Sequence, residues 1–355
     1  MSDAANTSPS ASAPWLAHYP KGVPHTIDTS AWQNLPAFVE ENFKKYASSP
    51  LCHFMGKDYS YGLIDEHSRY FAAYLQSIGV QPGDRVAVMM VNVPQFMICV
   101  AGILRIGAVL VNVNPLYTAP ELEHQLGDAG AKVVVVLENF ADTVAKVLPK
   151  TPSVQRVVVA TIGDMLGIKG PVVNFVLRHV RKQIPAFDIP NAQSYRSAIA
   201  AGKSATYTPY RAQRHETAVL QYTGGTTGVA KGAALSHDNL IANTLQAEAW
   251  NTPILSKKDG RIQFVNVAAL PLYHIFAFTV SNASIEGGSL TIQNSSTTIR
   301  IRDLEFILSG IDIDHTDLAN HNRITARLVT HIQVEGMARI GGVKRPAELA
   351  NMKIN

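Results

Sequence analysis

The residues best suited to carry chemistry form one short stretch, rich in glycine and threonine and containing one lysine, between two apolar runs. It comprises Tyr222, Thr223, Gly224, Gly225, Thr226, Thr227, Gly228, Val229, Ala230, Lys231, Gly232 and Ala233. Glycine lets several backbone N–H groups point toward one centre, threonine hydroxyls add donors, and the lysine adds a mobile positive charge. This pattern predicts a loop that binds a polyphosphate. A glycine-rich hairpin turn with a solvated lysine is the alternative, although a hairpin needs only two or three such residues.

The spacing around the lysine separates this loop from the two common nucleotide-binding motifs. In P-loop NTPases the lysine follows a glycine directly, and a Ser or Thr comes next. Here two residues stand between Gly228 and Lys231, and Gly232 occupies the Ser/Thr place. The chain also has no G-x-G-x-x-G segment of the dinucleotide-binding type. Residues 233–235 predict a short strand, and Ser236 is a candidate N-cap of the helix that follows.

Blocks in the right order along the chain resemble one enzyme superfamily. Residues 222–233 are similar to the phosphate-loop signature of the adenylate-forming enzymes, namely acyl-CoA synthetases, luciferases and the adenylation domains of peptide synthetases. Residues 235–240 (LSHDNL) and 270–276 (LPLYHIF) fit the blocks that follow that loop. Residues 111–126 (VNVNPLYTAPELEHQL) narrow the resemblance to bacterial long-chain fatty acid–CoA ligases.

The resemblance implies ATP-dependent activation of a long-chain fatty acid to an acyl-adenylate and then to an acyl-CoA thioester. The implied ligands are ATP, Mg²⁺ and coenzyme A; residues 222–233 would bind the nucleotide, and Lys231 would compensate phosphate charge during the reaction. Tyr273 and His274 match positions that border the acyl and adenylate pocket, which makes His274 a second candidate catalytic residue. A histidine satisfied within the core is the alternative for His274, because nothing in the sequence identifies its partner. His237 is expected to cap or pack.

Two other functions remain open at this level. The chain could be a non-catalytic protein that sequesters ATP or fatty acyl groups, or an adenylating enzyme for an amino or aryl acid. Residues 114–118 (NPLYT) speak against the second, since this block resembles the long-chain ligases.

The resemblance divides the chain into three parts. Residues 1–14 are rich in Ser, Ala and Pro and predict a disordered tail; residues 15–280 resemble an incomplete adenylate-forming N-terminal domain; residues 281–355 do not match. The family's Tyr-Gly-x-Thr-Glu and Thr-Gly-Asp blocks, and its small C-terminal domain with a lysine, are not found in the sequence. We expect a frameshifted or truncated product, or else a divergent protein, with little or no activity of this polypeptide. The abrupt change at Ser281 favours the first.

The composition of the chain limits the classes of protein to which it can belong. The chain has 355 residues, 46% hydrophobic and 16% charged, with a net charge of +4, which predicts a large globular core and no dedicated binding of nucleic acid. Cys52 and Cys99 lie in apolar segments, so a reducing cytoplasm is expected. Residues 312–317 with His321 fail the calcium-loop pattern and are interpreted as a polar surface run, so no protein ligand to a metal is assigned.

The elements alternate as in an α/β fold, with parallel strands flanked by helices. A capping box at Thr118 and Glu121 predicts a helix that ends near Gly130. Residues 86–113 are largely apolar, but their polar interruptions predict a strand–helix–strand unit and not a membrane anchor. The other predicted elements are a helix over 65–78, a strand over 86–91, a helix over 94–106, and strands over 109–113, 133–137, 157–160 and 264–270.

Residues 170–183 mix apolar and basic side chains at helical spacing. An amphipathic basic helix can lie on an anionic membrane, which suits an enzyme whose substrate partitions into lipid. A surface helix that packs its apolar side on the core is the alternative.

Overall fold

The computed structural model describes residues 14–223, 230–255, 264–268 and 270–275, and six later strands within residues 288–346. Of residues 251–255, residues 264–267 and the later strands, only the backbone is described. The centre of the predicted phosphate loop (residues 224–229), Phe276 and the polar run at 312–321 therefore lie outside the described residues.

A seven-stranded sheet forms the larger part of the described fold. Its order is β7-β6-β5-β3-β4-β8-β9, and all neighbours are parallel except the hairpin of β8 and β9. The strands are β3 (Arg85–Met89), β4 (Val109–Asn112), β5 (Val133–Leu137), β6 (Arg156–Ala160), β7 (Gln193–Ser194), β8 (Thr217–Thr223) and β9 (Lys231–Ser236).

A second sheet has four strands in the order β10-β11-β1-β2, with β1 and β2 antiparallel and the other neighbours parallel. Its strands are β1 (Pro50–Phe54), β2 (Lys57–Ser60), β10 (Phe264–Val267) and β11 (Gly288–Ile292). Five later strands form two small antiparallel sheets: β12 (Ser296–Ile301), β13 (Leu304–Ser309), β14 (Ile332–Val334), β15 (Met337–Ile340) and β16 (Val343–Pro346).

Helices cover both faces of the seven-stranded sheet. They are α1 (Leu35–Lys45), α2 (Tyr61–Ser77), α3 (Pro94–Arg105), α4 (Ala119–Ala129), α5 (Ala141–Val147), α6 (Gly170–Phe175), α7 (Tyr195–Ser204) and α8 (His237–Leu255). Alternate residues of β3 divide between two core clusters: Val86 and Val88 pack in the cluster that includes α2, α3 and α7, whereas Ala87 and Met89 pack in the cluster that includes α4 and α5. Because both of their faces are buried, the central strands β3 to β6 are largely apolar, as the sequence predicts, whereas the edge strands β7 and β9 are polar or exposed.

The sequence-based element predictions are confirmed, with small differences at the boundaries. Helix α2 begins earlier than predicted, because Ser60 caps it by accepting a hydrogen bond from the N–H of Leu63. Thr118 and Glu121 form the predicted capping box of α4, which ends at Gly130 in the left-handed conformation (φ 58°). The 86–113 segment is the β3–α3–β4 unit inside the core. Across the described residues, no helix combines the length and apolarity that crossing a bilayer requires.

A buried arginine joins three helices at the edge of the first core cluster. Arg105 of α3 is 2% exposed and forms ion pairs with Glu40 of α1 and Asp65 of α2. Asp65 also pairs with Arg69, one helical turn further along α2. An arginine this deeply buried needs such carboxylate partners, because an unpaired buried charge is strongly destabilising.

Candidate nucleotide-binding site

The hairpin of β8 and β9 positions the predicted phosphate loop. Its register pairs Thr223 with Lys231, so residues 224–230 form the connection and Lys231 is the first residue after it. Thr223, Lys231, Gly232 and Ala233 are exposed. A connection of this length is longer than a tight hairpin requires. The exposed lysine therefore stands directly across the hairpin from the threonine that enters the loop.

The ring of Tyr222 closes the base of this hairpin. Tyr222 is 7% exposed, and its hydroxyl donates a hydrogen bond to the Oδ2 atom of Asp128 in α4. Burial, together with that hydrogen bond, raises the pKa of the Tyr222 hydroxyl well above its usual range. Across the hairpin, a Cβ atom on Gly232 would lie 2.9 Å from the Cζ atom of Tyr222. Gly232 is thus needed to make room for the Tyr222 ring.

Helix α4 contacts the chain on both sides of the loop. The Nε2 atom of His124 lies 3.0 Å from the carbonyl oxygen of Ala230, the last residue of the connection, and donates to it in the matching tautomer. Asp128, four residues later on the same face, holds Tyr222 just before the loop. The two ends of the loop are therefore fastened to one helix.

Buried amides fix α4 against the strands beneath the loop. The side-chain N–H of Gln125 donates to the backbone carbonyl of Asn112 (2.8 Å), and the side-chain N–H of Asn112 donates to the Oε1 atom of Gln221 (3.1 Å). All three side chains are buried. Directional bonds of this kind set the position of α4 relative to β8 more sharply than apolar contact alone.

A single asparagine holds the segment that carries Tyr273 and His274. The Nδ2 atom of Asn92 donates to the carbonyl oxygens of Ala268 and Leu270, each at 2.9 Å, and its Oδ1 atom accepts from the N–H of Leu272 at 2.7 Å. Asn92 follows β3, and the segment follows β10. The ends of one strand from each of the two sheets are thus joined.

The tyrosine and the two histidines named from the sequence lie in different surroundings. His274 is exposed, so the alternative of a histidine satisfied in the core is wrong. Tyr273 is half-buried, and its pKa is raised by burial and then by Tyr117 of the 111–126 block. His237 is 2% exposed and accepts a hydrogen bond from the N–H of Leu35 at 3.4 Å, which agrees with a capping and packing role. Burial lowers its pKa to about 4.

The sequence did not single out three residues that position this site. They are Asn92, His124 and Asp128. A signal existed for each: Asn92 is a polar residue at the end of a buried strand, and His124 and Asp128 share one face of a capped helix. What the spacing could not supply was the partner, because these partners lie between 94 and 180 positions away in the chain.

The chain belongs to the AMP-binding enzyme family, whose model matches residues 39–309. The match extends past position 280, where the sequence analysis ended the family's domain. Strand β11 also follows position 280, and it lies between β10 and β1 in the four-stranded sheet. The division of the chain at 280 stays a prediction.

Several proteins of known function are similar to it. A long-chain-fatty-acid–CoA ligase of Escherichia coli O6:H1 is 45% identical over 269 residues, which cover 75% of this chain and 47% of that protein. A long-chain-fatty-acid–CoA ligase of Bacillus subtilis is 34% identical and is covered to 48%. The chain thus spans about half the length of the curated relatives that it matches.

Two solved structures share the fold. One is an anthranilate CoA ligase in complex with anthranoyl-AMP (TM-score 0.60, 18% identity, covering 75% of this chain and 46% of that one). The other is a long-chain-fatty-acid–CoA ligase from Archaeoglobus fulgidus (TM-score 0.59, 23% identity, covering 77% and 49%). At these identities the similarity shows the fold alone, which is the α/β fold expected from the sequence.

Proposed function

We propose that this chain carries the nucleotide-binding part of an ATP-dependent long-chain fatty acid–CoA ligase. The supporting observation is the hairpin register that pairs Thr223 with Lys231 and leaves residues 224–230 as the connection. In this reaction a carboxylate oxygen of the fatty acid attacks the α-phosphorus of ATP, and pyrophosphate leaves. The thiolate of coenzyme A then attacks the acyl carbonyl, and AMP leaves. Such steps depend on positioning and on compensation of negative charge.

Within this proposal, residues 222–233 bind ATP, and Lys231 supplies positive charge to its phosphates. Helix α4 contributes by holding Tyr222 and Ala230, the described residues on either side of the loop centre. In the part of the chain that the structure describes, no three His, Cys, Asp or Glu side chains converge to hold a metal ion. Mg²⁺ is proposed to enter together with the triphosphate, and no side chain is named as its ligand.

Tyr273 and His274 are proposed to border the acyl and adenylate part of the site. The observation in favour is their place after β10, at the carboxyl end of a parallel strand, where open α/β sheets bind ligands. Exposure of His274 leaves its imidazole free to meet a ligand. Asn92 positions both residues through its hydrogen bonds to the segment.

The proposal is tested by titrating the full chain with ATP in a calorimeter. Lys231→Gln should weaken binding by roughly 10- to 150-fold, since a hydrogen bond to a charged group is worth about 1.5–3 kcal/mol. Lys203→Gln is the matched control, because Lys203 of α7 is also exposed but lies away from the loop, over the ring of Tyr70 in α2. Failure of the unaltered chain to bind ATP, or equal binding by Lys231→Gln, would contradict the proposal.

A second candidate is a protein that binds nucleotide without transferring the acyl group. The observation behind it is the same hairpin: the pairing of Thr223 with Lys231 positions a nucleotide-binding loop and by itself supplies no group for acyl transfer. Exchange of labelled pyrophosphate into ATP with palmitate separates the two candidates. Palmitate-dependent exchange supports the ligase, whereas tight ATP binding without exchange supports the binding protein.

We also place the chain in the cytoplasm, with peripheral contact at the inner face of the membrane. Cys52 and Cys99 are free, buried thiols, which suits a reducing compartment. Long-chain fatty acids partition into lipid, so a ligase that rests on the bilayer meets its substrate there.

A further inference from the structure

An apolar stripe faces solvent on the segment that contains α6. Val172 and Phe175 are 64% and 60% exposed, and Ile168, in the turn just before the helix, is 95% exposed. Their spacing of four and then three residues places them on one side of the helix. We call this stripe, together with Val180 and the basic residues beside it, the 168–182 face.

A π-helical turn extends the stripe by one more residue. Residues Val176–Val180 follow α6 in π-helical geometry, and the N–H of Arg181 donates to the carbonyl of Val176 at 2.8 Å. A π turn closes its hydrogen bond over five residues instead of four, so it contains more residues than an α-helical turn. Val180 therefore returns to the side of Phe175, and it is 66% exposed.

The core does not use this stripe. A different side of the same segment packs on the first core cluster, through Val173 and Leu177. Gly170 is pressed against the neighbouring turn, where an added Cβ would lie 2.1 Å from the carbonyl oxygen of Gly163. The segment is thus anchored by one side while its second apolar side stays in solvent, which the alternative of a simple surface helix does not explain.

Cations flank the stripe without carboxylates to neutralise them. Lys169, Arg181 and Lys182 are exposed and form no ion pair within the described part of the chain. Arg178 differs, because it pairs with the buried Glu138. Residues 165–187 contain no Asp or Glu at all. The face therefore combines exposed apolar side chains with uncompensated positive charge.

We propose that the 168–182 face binds the surface of an anionic phospholipid bilayer. Exposed apolar side chains enter the boundary between headgroups and acyl chains, while lysine and arginine contact the anionic headgroups. The inference deepens the proposed function and rests on it, because a fatty acid substrate partitions into the bilayer and an enzyme bound there would meet it. Charge complementarity selects this occupant, since a neutral surface would gain nothing from Lys169, Arg181 and Lys182.

Flotation of the full chain with vesicles tests the proposal. Binding should be stronger to vesicles of phosphatidylcholine mixed with phosphatidylglycerol than to phosphatidylcholine alone, and should weaken as salt is raised. Arg181→Gln with Lys182→Gln should lower the partition coefficient roughly 30-fold, because each cation near an anionic surface contributes about 1 kcal/mol. Lys21→Gln with Arg211→Gln removes the same charges from other exposed positions and should leave binding nearly unchanged.

A third variant tests the apolar stripe separately. Val172→Ser with Phe175→Ser changes two exposed side chains, so the fold should persist while vesicle binding falls. The proposal is overturned if the two double cation variants lose vesicle binding equally, or if binding of the unaltered chain does not depend on the charge of the lipid. Absence of binding to the anionic vesicles also overturns it and leaves an acidic protein as the partner for this face. Titration of the same variants with ATP measures nucleotide binding by the loop and does not depend on vesicles. Failure of the membrane proposal can therefore be distinguished from failure of the proposed function.

Discussion

Asn92 and Leu272 are joined by a hydrogen bond of 2.7 Å from the Leu272 N–H to the Asn92 Oδ1 atom, although 180 positions separate them. The same side chain donates to the carbonyls of Ala268 and Leu270. One amide thereby satisfies three backbone groups of the segment that leads to Tyr273 and His274. The two sheets meet at the candidate site through this residue.

Replacing Asn92 by Ala should loosen this segment. The three backbone groups would lose their partner, at a cost of roughly 0.5–1.5 kcal/mol for each bond. Hydrogen exchange of the Leu272 amide should accelerate, while amides of β3 stay protected. Asn174→Ala serves as the control, since Asn174 also bonds a neighbouring turn through Gly163 and Thr161 but makes no contact with this segment. Unchanged exchange at Leu272 would contradict the role given to Asn92.

A methyl group at Gly232 should displace the Tyr222 ring. The added Cβ would lie 2.9 Å from the Cζ atom of Tyr222, and the buried ring has little room to move away. We expect Gly232→Ala to cost about 1–3 kcal/mol of the free energy of unfolding, as overpacking does.

Two companion variants make the Gly232 prediction specific. In a Tyr222→Leu background the cost of Gly232→Ala should largely disappear, because the clashing atoms are gone. Gly127→Ala is the control, since no atom lies within 4 Å of its added Cβ. Urea unfolding measures the unaltered chain, Gly232→Ala, Tyr222→Leu, the double variant and Gly127→Ala, and an equal cost of Gly232→Ala with and without the tyrosine ring would rule out the steric explanation.

The free energy of unfolding should fall in mild acid because of His237. Its pKa is lowered by burial from 6.5 to about 4, so the unfolded chain binds more protons than the folded one between these values. Stability is therefore complete above pH 6.5 and declines as the pH falls toward 4. Between pH 7 and pH 5 the loss from this residue is on the order of 2 kcal/mol.

The contribution of His237 to the pH dependence of stability can be isolated by substitution. His237→Gln keeps an acceptor for the Leu35 N–H but does not titrate, so its urea midpoint should depend less on pH than that of the unaltered chain. His215→Gln, at an exposed position, should retain the full dependence. Parallel pH curves for the two variants would exclude His237 as the cause.

Loss of the Arg105 guanidinium should lower the free energy of unfolding strongly, whereas loss of the Arg69 guanidinium should lower it little. Both pair with Asp65, but Arg105 is 2% exposed whereas the Arg69 side chain is 40% exposed. Arg105→Met leaves Glu40 and Asp65 without their common partner, and we expect about 3–5 kcal/mol less stability. Arg69→Met should cost at most about 1 kcal/mol, as surface pairs do. Comparable urea midpoints for the two variants would refute this difference.

Local sequence patterns were sufficient to predict much of the fold. Apolar runs of β-branched residues predicted β3 to β6, because a strand buried on both faces needs no polar alternation. Thr118 and Glu121 predicted the start of α4, because a capping box is made entirely within one turn. The boundaries at Ser60 and Val267 were less accurate, since helix caps and strand ends depend on partners outside the local window.

The sequence by itself determined the chemistry that the chain could support: a glycine- and threonine-rich loop, a lysine three residues after its last glycine, and an aromatic–histidine pair after an apolar strand. Only the tertiary structure decided what holds these groups. Asp128 reaches Tyr222, His124 reaches Ala230 and Asn92 reaches Leu272 across 94 to 180 positions. Hydrogen-bond partners so distant in the chain are set by how helices and strands pack, which residue types and spacing do not encode locally.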